Sequence, residues 1–193
     1  MQYVLTPYTQ KVEPFAWWEG GFSENELNWL QEQAIKADTQ AQVGGGFDAN
    51  ELAKIRRSKV SWMNNTVDTE WVFKKLAHIA SSLNSQYYRF DLTGFGEPMQ
   101  LTHYDQSENG MYGWHQDYGG GISRKLSLVL QLSDPANYEG GNLQVMTTGN
   151  PVNVKKQRGI VAVFPSYVLH QVTPVTQGNR QSLVAWVSGP AFK

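Results

Sequence analysis

Apolar residues recur at helical spacing in two stretches of the first half of the chain. Ser23-Glu24-Asn25-Glu26 has the capping-box pattern of a helix start. The apolar stripe that follows has members three and four residues apart, namely Leu27, Leu30, Ala34 and Ile35. A second helix is predicted from Asp68 or Thr69 to Leu83, with an apolar face made of Trp71, Val72, Leu76, Ile79, Ala80 and Leu83.

The second half of the chain changes to short apolar segments, which are separated by residues that favour turns. Such segments are typical of β-strands bounded by turns. The predicted strands are Met99–Tyr104, Trp114–Tyr118, Lys125–Leu132, Gly141–Val145, Val152–Val154, Gly159–Phe164, His170–Val172 and Arg180–Ser188. A further half-buried strand is predicted where Tyr87, Phe90 and Leu92 alternate with polar residues.

This order of elements predicts a mainly β fold with flanking helices. Short strands that follow two helices indicate a jelly-roll, or double-stranded β-helix, with the N-terminal helices packed outside it. No repeat or linker divides the 193 residues, so residues 1–193 are predicted to form one domain. Within it, residues 1–92 form a helical and β support region, and residues 93–193 form the β-rich core.

Composition narrows the possible functions. The formal net charge is −1, so no overall field attracts the protein to nucleic acid or to an anionic membrane. No apolar run is long enough for a membrane span, and residues 1–10 lack the basic and apolar regions of a secretory signal. The chain has no cysteine, which excludes thiolate metal sites and fits a reducing compartment. We therefore expect a cytoplasmic protein that has neither nucleic-acid nor membrane partners.

A basic cluster runs from Lys54 to Lys59 and includes Arg56 and Arg57. It follows Gly44-Gly45-Gly46 and Asp48, which predict a flexible loop. One interpretation is a solvated strand edge protected by charge. The other places Arg56 or Arg57 at the entrance to a substrate site. A nucleic-acid patch is the weakest interpretation, because four cations are too few without support elsewhere in the chain.

Two histidines and one carboxylate form a candidate metal site. His115 and Asp117 are separated by one residue, so in an extended strand both side chains point to the same face. With the distant His170 they supply the ligand set that holds iron(II) and leaves coordination positions open. A lone His-x-Asp is common by chance, so the hypothesis depends on what surrounds it.

Arg180 follows His170 by ten residues, at the start of the last predicted strand. Its guanidinium offers paired donors with the geometry of a carboxylate. The spacing alone does not separate this function from that of a surface cation after the Gly178-Asn179 turn.

The ordered set of motifs resembles that of the iron(II)- and 2-oxoglutarate-dependent dioxygenases, and within them the prolyl-4-hydroxylase-like and PKHD-type hydroxylases. The resemblance covers roughly residues 95–190. It is carried by Tyr104, Tyr112-Gly113-Trp114-His115-Gln116-Asp117, Tyr138-Glu139-Gly140-Gly141-Asn142-Leu143, Phe164-Pro165-Ser166, His170, Pro174-Val175-Thr176 and Arg180.

This resemblance implies a double-stranded β-helix in which His115, Asp117 and His170 bind iron. It also implies that Arg180 and Tyr104 bind the C5 carboxylate of 2-oxoglutarate, whose other end chelates the metal. Residues expected to line the substrate pocket are Tyr112, Trp186, Arg57 and Trp62. Packing alone is an equally good interpretation of Tyr112, and Gly140 and Gly141 are interpreted as a tight turn before a strand.

The activity implied by the resemblance is hydroxylation of an aliphatic C–H bond, with dioxygen as oxidant and 2-oxoglutarate decarboxylated to succinate. The expected substrate is a prolyl residue in a peptide or protein, with free amino acids or other small molecules as alternatives. Ascorbate is expected to support turnover. Two other functions stay open: a cupin-like enzyme with another metal such as manganese or zinc, and a jelly-roll module that binds carbohydrate on its aromatic residues.

Overall fold

The computed structural model describes residues 13–43, 48–119 and 121–192. Helix α1 spans Glu24–Ile35, and both hydrogen bonds of the predicted capping box at Ser23 are present. Leu27, Leu30 and Ala34 are buried as predicted, whereas Ile35 is exposed. Because Ile35 lies at the edge of the stripe, the helix keeps a narrow buried face.

Helix α2 spans Ala49–Ile55 and was not predicted. Its N-cap is Asp48, which accepts hydrogen bonds from the backbone N–H groups of Asn50 and Glu51. Asp48 itself lies outside the helix, in extended backbone, as the predicted loop requires, and its carboxylate caps the helix that follows. The predicted Gly44-Gly45-Gly46 loop lies outside the described residues.

Helix α3 spans Glu70–Leu83, and the chain then continues as a π-helical turn over Asn84–Tyr88. The half-buried strand predicted for Tyr87–Leu92 is wrong. Arg89 ends the turn with φ +55°, and the Asn84 side chain hydrogen-bonds both the N–H and the C=O of Phe90. These bonds satisfy the backbone locally, so no strand partner is needed.

The strands form two antiparallel sheets. Their bounds are β1 Ala16–Trp18, β2 Thr39–Gln40, β3 Arg56–Arg57, β4 Lys59–Met63, β5 Gly94–Phe95, β6 Met99–Asp105, β7 Met111–His115, β8 Arg124–Gln131, β9 Tyr138–Gly140, β10 Leu143–Met146, β11 Pro151–Asn153, β12 Val161–Pro165, β13 His170–Val172 and β14 Val175–Ser188. The nine-stranded sheet has the order β1-β12-β8-β14-β6-β4-β2, and β5 and β9 also pair with β14. The five-stranded sheet has the order β11-β10-β13-β7-β3.

The two sheets enclose one apolar cluster, and the helices enclose another. Val129 and Phe164 of the large sheet pack with Leu143 and Val172 of the small one. On the outer face of the large sheet, strand residues pack together with buried residues of α1 and α3. This is the predicted jelly-roll with helices outside. In the part of the chain described, no helix has the length and apolar character needed to cross a membrane.

Two strand boundaries near the site differ from prediction. Strand β7 ends at His115, so Asp117 lies just beyond it and its N–H donates to the carbonyl of Ser166. Strand β14 begins at Val175, five residues before Arg180, and includes the predicted turn at Gly178. Gly178 has φ +69°, which glycine adopts without strain, so the strand continues and pairs there with Tyr138 of β9.

Alternation along the central strands separates an apolar face from a polar one. Leu126, Leu128 and Leu130 of β8 belong to the cluster under the helices. The residues between them face the other sheet, and so do alternate residues of β6 and β14. The polar members of this inner face are Gln100, Thr102, Tyr104, Ser127, Gln131, Arg180 and Ser182.

Candidate active site

The structure brings His115, Asp117 and His170 together between the two sheets. His115 lies directly opposite His170 across the β7–β13 pair. The Nε2 atom of His115 is 3.8 Å from Asp117 Oδ1, and that of His170 is 3.5 Å from Asp117 Oδ2. One ligand atom from each residue lies within 4.8 Å of the others, which is close enough for all three to share one ion.

Hydrogen bonds fix which ring nitrogen each histidine can present. His115 Nδ1 is 2.7 Å from the carbonyl of Gly113, and His170 Nδ1 is 3.0 Å from that of Val168. A carbonyl only accepts, so each Nδ1 carries the proton and each Nε2 has a free lone pair. Burial, and secondarily the neighbouring His170, lowers the pKa of His115 to about 3. This imidazole is therefore neutral at physiological pH, as a metal ligand must be.

Asp117 is held as a carboxylate by its neighbours. Burial alone would raise its pKa, but the neighbouring His170 and a hydrogen bond from Ser127 lower it below its ordinary value. Ser127 Oγ donates to Asp117 Oδ2 at 2.6 Å and lies 3.0 Å from Ser166 Oγ. The oxygen Oδ1 therefore has no competing bond from Ser127 and faces His115.

This donor set fits one iron(II) ion. Metal–ligand bonds of about 2.1 Å at right angles place ligand atoms about 3.0 Å apart, and one ligand atom of each residue already lies within 4.8 Å of the others. Two imidazoles and one carboxylate are the facial triad that leaves open positions.

Arg180 lies in the middle of the large sheet, on β14, and its side chain is only 1% exposed. Its Nη2 donates to Gln131 Oε1 at 2.9 Å, and its Nη1 lies 3.4 Å from Ser182 Oγ. Its buried Nε has no hydrogen-bond partner, and no ion pair among the described residues includes Arg180. A buried cation without a counterion is costly, so this geometry suits an anionic ligand.

Tyr104 and Gly141 shape the space around Arg180. Tyr104 lies opposite Arg180 on β6, and its ring centroid is 5.3 Å from the guanidinium carbon. Gly141 has φ +55°, and a Cβ there would lie 3.0 Å from Arg180 Cδ. The predicted turn at Gly140-Gly141 thus also makes room for the arginine side chain.

The aromatic residues predicted for the pocket line a cavity of about 390 Å³ that contains the triad. The Tyr112 ring stacks on the His115 ring with centroids 3.4 Å apart. Trp186 is buried and Trp62 is half-exposed, and their rings lie 6.3 Å apart at one side of the cavity. Gln116, whose contact the sequence leaves open, donates to the carbonyl of Tyr167 and also lines the cavity.

Arg57 does not line this cavity, so its prediction as a pocket residue needs correction. Its guanidinium donates to the backbone carbonyls of Ala53, Glu108 and Asn109, outside the site. Its neighbour Arg56 points inward, lines the cavity and is 5% exposed. Successive strand residues face opposite sides, so only one of two adjacent arginines can enter.

Three other lining or supporting residues were not predicted: Arg124, Ser127 and Gln131. Arg124 forms a bidentate pair with Glu97 at 2.7 and 2.5 Å, and its guanidinium carbon lies 4.0 Å from the Trp186 ring centroid. Ser127 and Gln131 have a visible sequence signal, because they are the polar alternate positions of the otherwise apolar segment from Leu126 to Leu132. The ion pair of Arg124 with Glu97 has no such sequence signal, because its partners are 27 residues apart.

Comparison with known sequences agrees with this geometry. A sequence profile described as the 2OG-Fe(II) oxygenase superfamily matches residues 99–188. A PKHD-type hydroxylase of Shewanella sp. (strain ANA-3) is 28% identical over 185 residues, covering 86% of this chain and 74% of that protein. Another, from Sphingopyxis alaskensis, is 32% identical over 110 residues, covering 54% of this chain and 50% of that protein.

Solved structures share the fold. A Pseudomonas putida prolyl-4-hydroxylase has a TM-score of 0.69 and 19% identity, covering 92% of this chain and 94% of that one. A Trichoplax adhaerens prolyl hydroxylase, in complex with a hypoxia inducible factor oxygen degradation domain peptide fragment, has a TM-score of 0.75 and 16% identity, covering 91% and 84%. At such identities the likeness establishes the fold alone.

Proposed function

We propose that the chain, whose residues 99–188 match the profile of the 2OG-Fe(II) oxygenase superfamily, is a dioxygenase of that superfamily that uses iron(II) and 2-oxoglutarate to hydroxylate an aliphatic C–H bond. The observation that carries the proposal is that one cavity contains both the triad and an arginine without a counterion. The triad supplies metal ligands, and Arg180 supplies a buried cation for an acid. Either feature alone would be compatible with several functions.

His115, Asp117 and His170 would hold the metal in this proposal. Bound iron(II) supplies the redox chemistry that activates dioxygen while 2-oxoglutarate is decarboxylated to succinate. The backbone carbonyls of Gly113 and Val168 keep the two imidazoles oriented with Nε2 toward the ion. Ser127 keeps the Asp117 carboxylate oriented through its hydrogen bond to Oδ2.

Arg180 and Tyr104 would bind the carboxylate of 2-oxoglutarate that lies far from the metal. The unpartnered Arg180 Nε is a donor without a protein acceptor, and the cavity is the open space that this side chain lines. Gln131 and Ser182 hold the remainder of the guanidinium in place. A ligand carboxylate would both neutralise the charge and complete the hydrogen bonds.

We propose a prolyl residue as substrate, with ascorbate as a supporting reductant. Support comes from the PKHD-type and prolyl hydroxylase names of the similar proteins and from the cavity wall. Trp62 and Trp186 present apolar rings in the cavity that contains the triad, and an aliphatic ring packs well against such faces.

The test is succinate formation with iron(II), 2-oxoglutarate and ascorbate, measured against prolyl peptides and free amino acids. The protein should turn over 2-oxoglutarate, and Arg180→Ala should abolish that turnover. If purified, iron-loaded protein yields no succinate with any compound, the proposed function is wrong. Turnover that no prolyl compound stimulates would reject the prolyl substrate and leave the cosubstrate assignment intact.

A further inference from the structure

We propose that Arg56 forms a second anion subsite in the cavity and binds a carboxylate of the substrate. The inference rests on the proposed function and specifies its substrate as a free amino acid or a C-terminal residue. Arg56 lies on β3, 5% exposed, and lines the same cavity as the triad. The shared chemistry of the two substrate sources is a monoanionic carboxylate close to the C–H bond that reacts.

All the observed partners of Arg56 are neutral. Its Nε donates to Ser58 Oγ at 2.8 Å, and its Nη2 donates to Gln100 Oε1 at 2.7 Å. Its guanidinium carbon is 4.4 Å from the ring centroid of Tyr112. Among residues 13–43, 48–119 and 121–192, no ion pair includes Arg56 and no hydrogen bond uses its Nη1. A buried guanidinium in this state has a charge that the protein leaves uncompensated.

The surroundings of Arg56 match those of Arg180 one for one. Each arginine bonds one glutamine oxygen and one serine hydroxyl. Each also lies opposite a tyrosine on the neighbouring strand, since Arg180 pairs with Tyr104 and Arg56 pairs with Tyr112. If this arrangement serves a ligand carboxylate at Arg180, the same arrangement at Arg56 suits a second carboxylate.

A third arginine that lines the cavity, Arg124, does have a counterion from the protein. Arg124 is neutralised by Glu97 through two hydrogen bonds. Of the charged groups that line the cavity, Arg56 and Arg180 are therefore the two cations for which the described residues provide no anion. With iron(II) and doubly charged 2-oxoglutarate bound, the negative charge of Asp117 leaves a surplus of one positive charge. A substrate carboxylate carries the one negative charge that would offset this surplus; a peptide C-terminus supplies it directly, and a free amino acid, which has no net charge, supplies it with its ammonium group directed away from Arg56.

The position of Arg56 indicates which part of the substrate it binds. Tyr112 contacts both the Arg56 guanidinium and the ring of the metal ligand His115. The subsite therefore lies one aromatic ring from the metal ligand His115, and we assign the carboxylate it binds to the residue that reacts. The cavity of about 390 Å³ is near the small end of ligand pockets, at roughly 300–1,000 Å³. An internal prolyl residue of a long peptide has no such carboxylate.

The experiment compares acids with their amides in anaerobic calorimetry on protein loaded with iron(II) and 2-oxoglutarate. One arm uses L-proline, L-leucine and L-lysine against their amides, and the other uses Ala-Ala-Pro with a free or an amidated C-terminus. At least one acid should bind about tenfold or more tightly than its amide, as expected for a buried charge-assisted pair. The arm in which this preference occurs identifies the source. If no acid in either arm is preferred tenfold, the inference is overturned.

Two variants then attribute the preference to Arg56. Arg56→Gln should remove the preference, and Arg56→Lys, which retains the charge without the planar fork, should reduce it. Lys59→Gln removes an exposed cation on the next strand and should retain the preference in full. A purely structural role predicts a lower unfolding temperature for Arg56→Gln with the preference unchanged, and that result would overturn the inference. If Arg56→Gln does not fold, the preference for acids over amides is compared between Arg56→Lys and the wild type, and that comparison tests the inference.

A parallel measurement separates this inference from the proposed function. Succinate formation with the compounds of both arms is measured in the wild type and in Lys59→Gln. Its absence with every compound in both proteins contradicts the proposed function, whatever the binding data show. Its presence together with equal binding of acids and amides contradicts only the subsite at Arg56.

Discussion

Arg180 and Arg56 line the same cavity from different sheets, with matching side-chain partners but different positions within their sheets. Arg180 is on β14, between β6 and β8 in the middle of the large sheet, whereas Arg56 is on the two-residue edge strand β3 of the small sheet. Arg180 keeps its Nε free of partners, and Arg56 uses Nε on Ser58. Arg180 thus retains Nε as a donor for a ligand, whereas Arg56 retains Nη1.

The difference in strand position suggests a division of tasks. A central strand is fixed by hydrogen bonds on both sides, so Arg180 can hold a cosubstrate that is the same in every turnover. The edge strand β3 is paired on one side only, with β7. Pairing on one side fixes β3 less firmly than β14, which suits the part of the site that selects the substrate.

The most severe test of this division is Arg180→Gln. Loss of a buried charge pair costs about 3 kcal/mol, which corresponds to a rise of roughly 100-fold in the KM for 2-oxoglutarate. In Arg56→Gln the rise in the KM for 2-oxoglutarate should be at least tenfold smaller than in Arg180→Gln, because the Arg56 side chain contacts a different ligand. Initial rates of succinate formation at varied concentrations of 2-oxoglutarate give the KM of both variants. Equal rises in the two variants would mean that the arginines do not divide the ligands between them.

A subtler change, Gly141→Ala, tests the packing of Arg180 without altering its charge. The new Cβ would lie 3.0 Å from both Arg180 Cδ and Val175 Cγ2, at a backbone φ of +55°. We expect about 1–2 kcal/mol lower stability and roughly a tenfold higher KM for 2-oxoglutarate. Thermal unfolding and the succinate assay measure these two effects.

Gly149→Ala is the matched control for this variant. Gly149 has φ +93°, and a Cβ added there would have no atom within 4 Å, so alanine adds backbone strain far from Arg180. Its stability should fall by a similar amount while its KM for 2-oxoglutarate stays at the wild-type value. A raised KM in both variants would show that loss of stability, and not displacement of Arg180, causes the effect.

Features with local causes could be predicted from the sequence. The capping box at Ser23 begins α1, and apolar residues at helical spacing define α3. Strand β6 was predicted to within one residue, and β13 was predicted in full. The jelly-roll class follows from this succession of elements. Helix α2 has seven residues, which is too few to show a period, although Asp48 and Glu51 carried a visible capping signal.

Features that depend on distant partners could not be predicted in this way. Nothing in two consecutive arginines indicates which enters the cavity, because β3 is too short to show alternation. The choice of Arg56 follows from its pairing with Tyr112 and its bond to Gln100, 44 residues away. Likewise, Arg124 is neutralised by Glu97 only because the fold brings them together. Motif order indicated Arg180, whereas its counterpart Arg56 is defined only by the folded arrangement of the two sheets.

The smallest expected effect concerns Arg124, the arginine that is ion-paired with Glu97. The double variant Glu97→Gln/Arg124→Gln removes a cation and its own counterion, so the charge of the cavity does not change. Loss of the Arg124 contact with Trp186 should weaken substrate binding by about threefold or less. The preference for acids over amides should persist within that margin, in the same anaerobic calorimetry. If the double variant loses the preference, Arg124 and not Arg56 recognises the carboxylate, because Arg56 is unchanged in that protein.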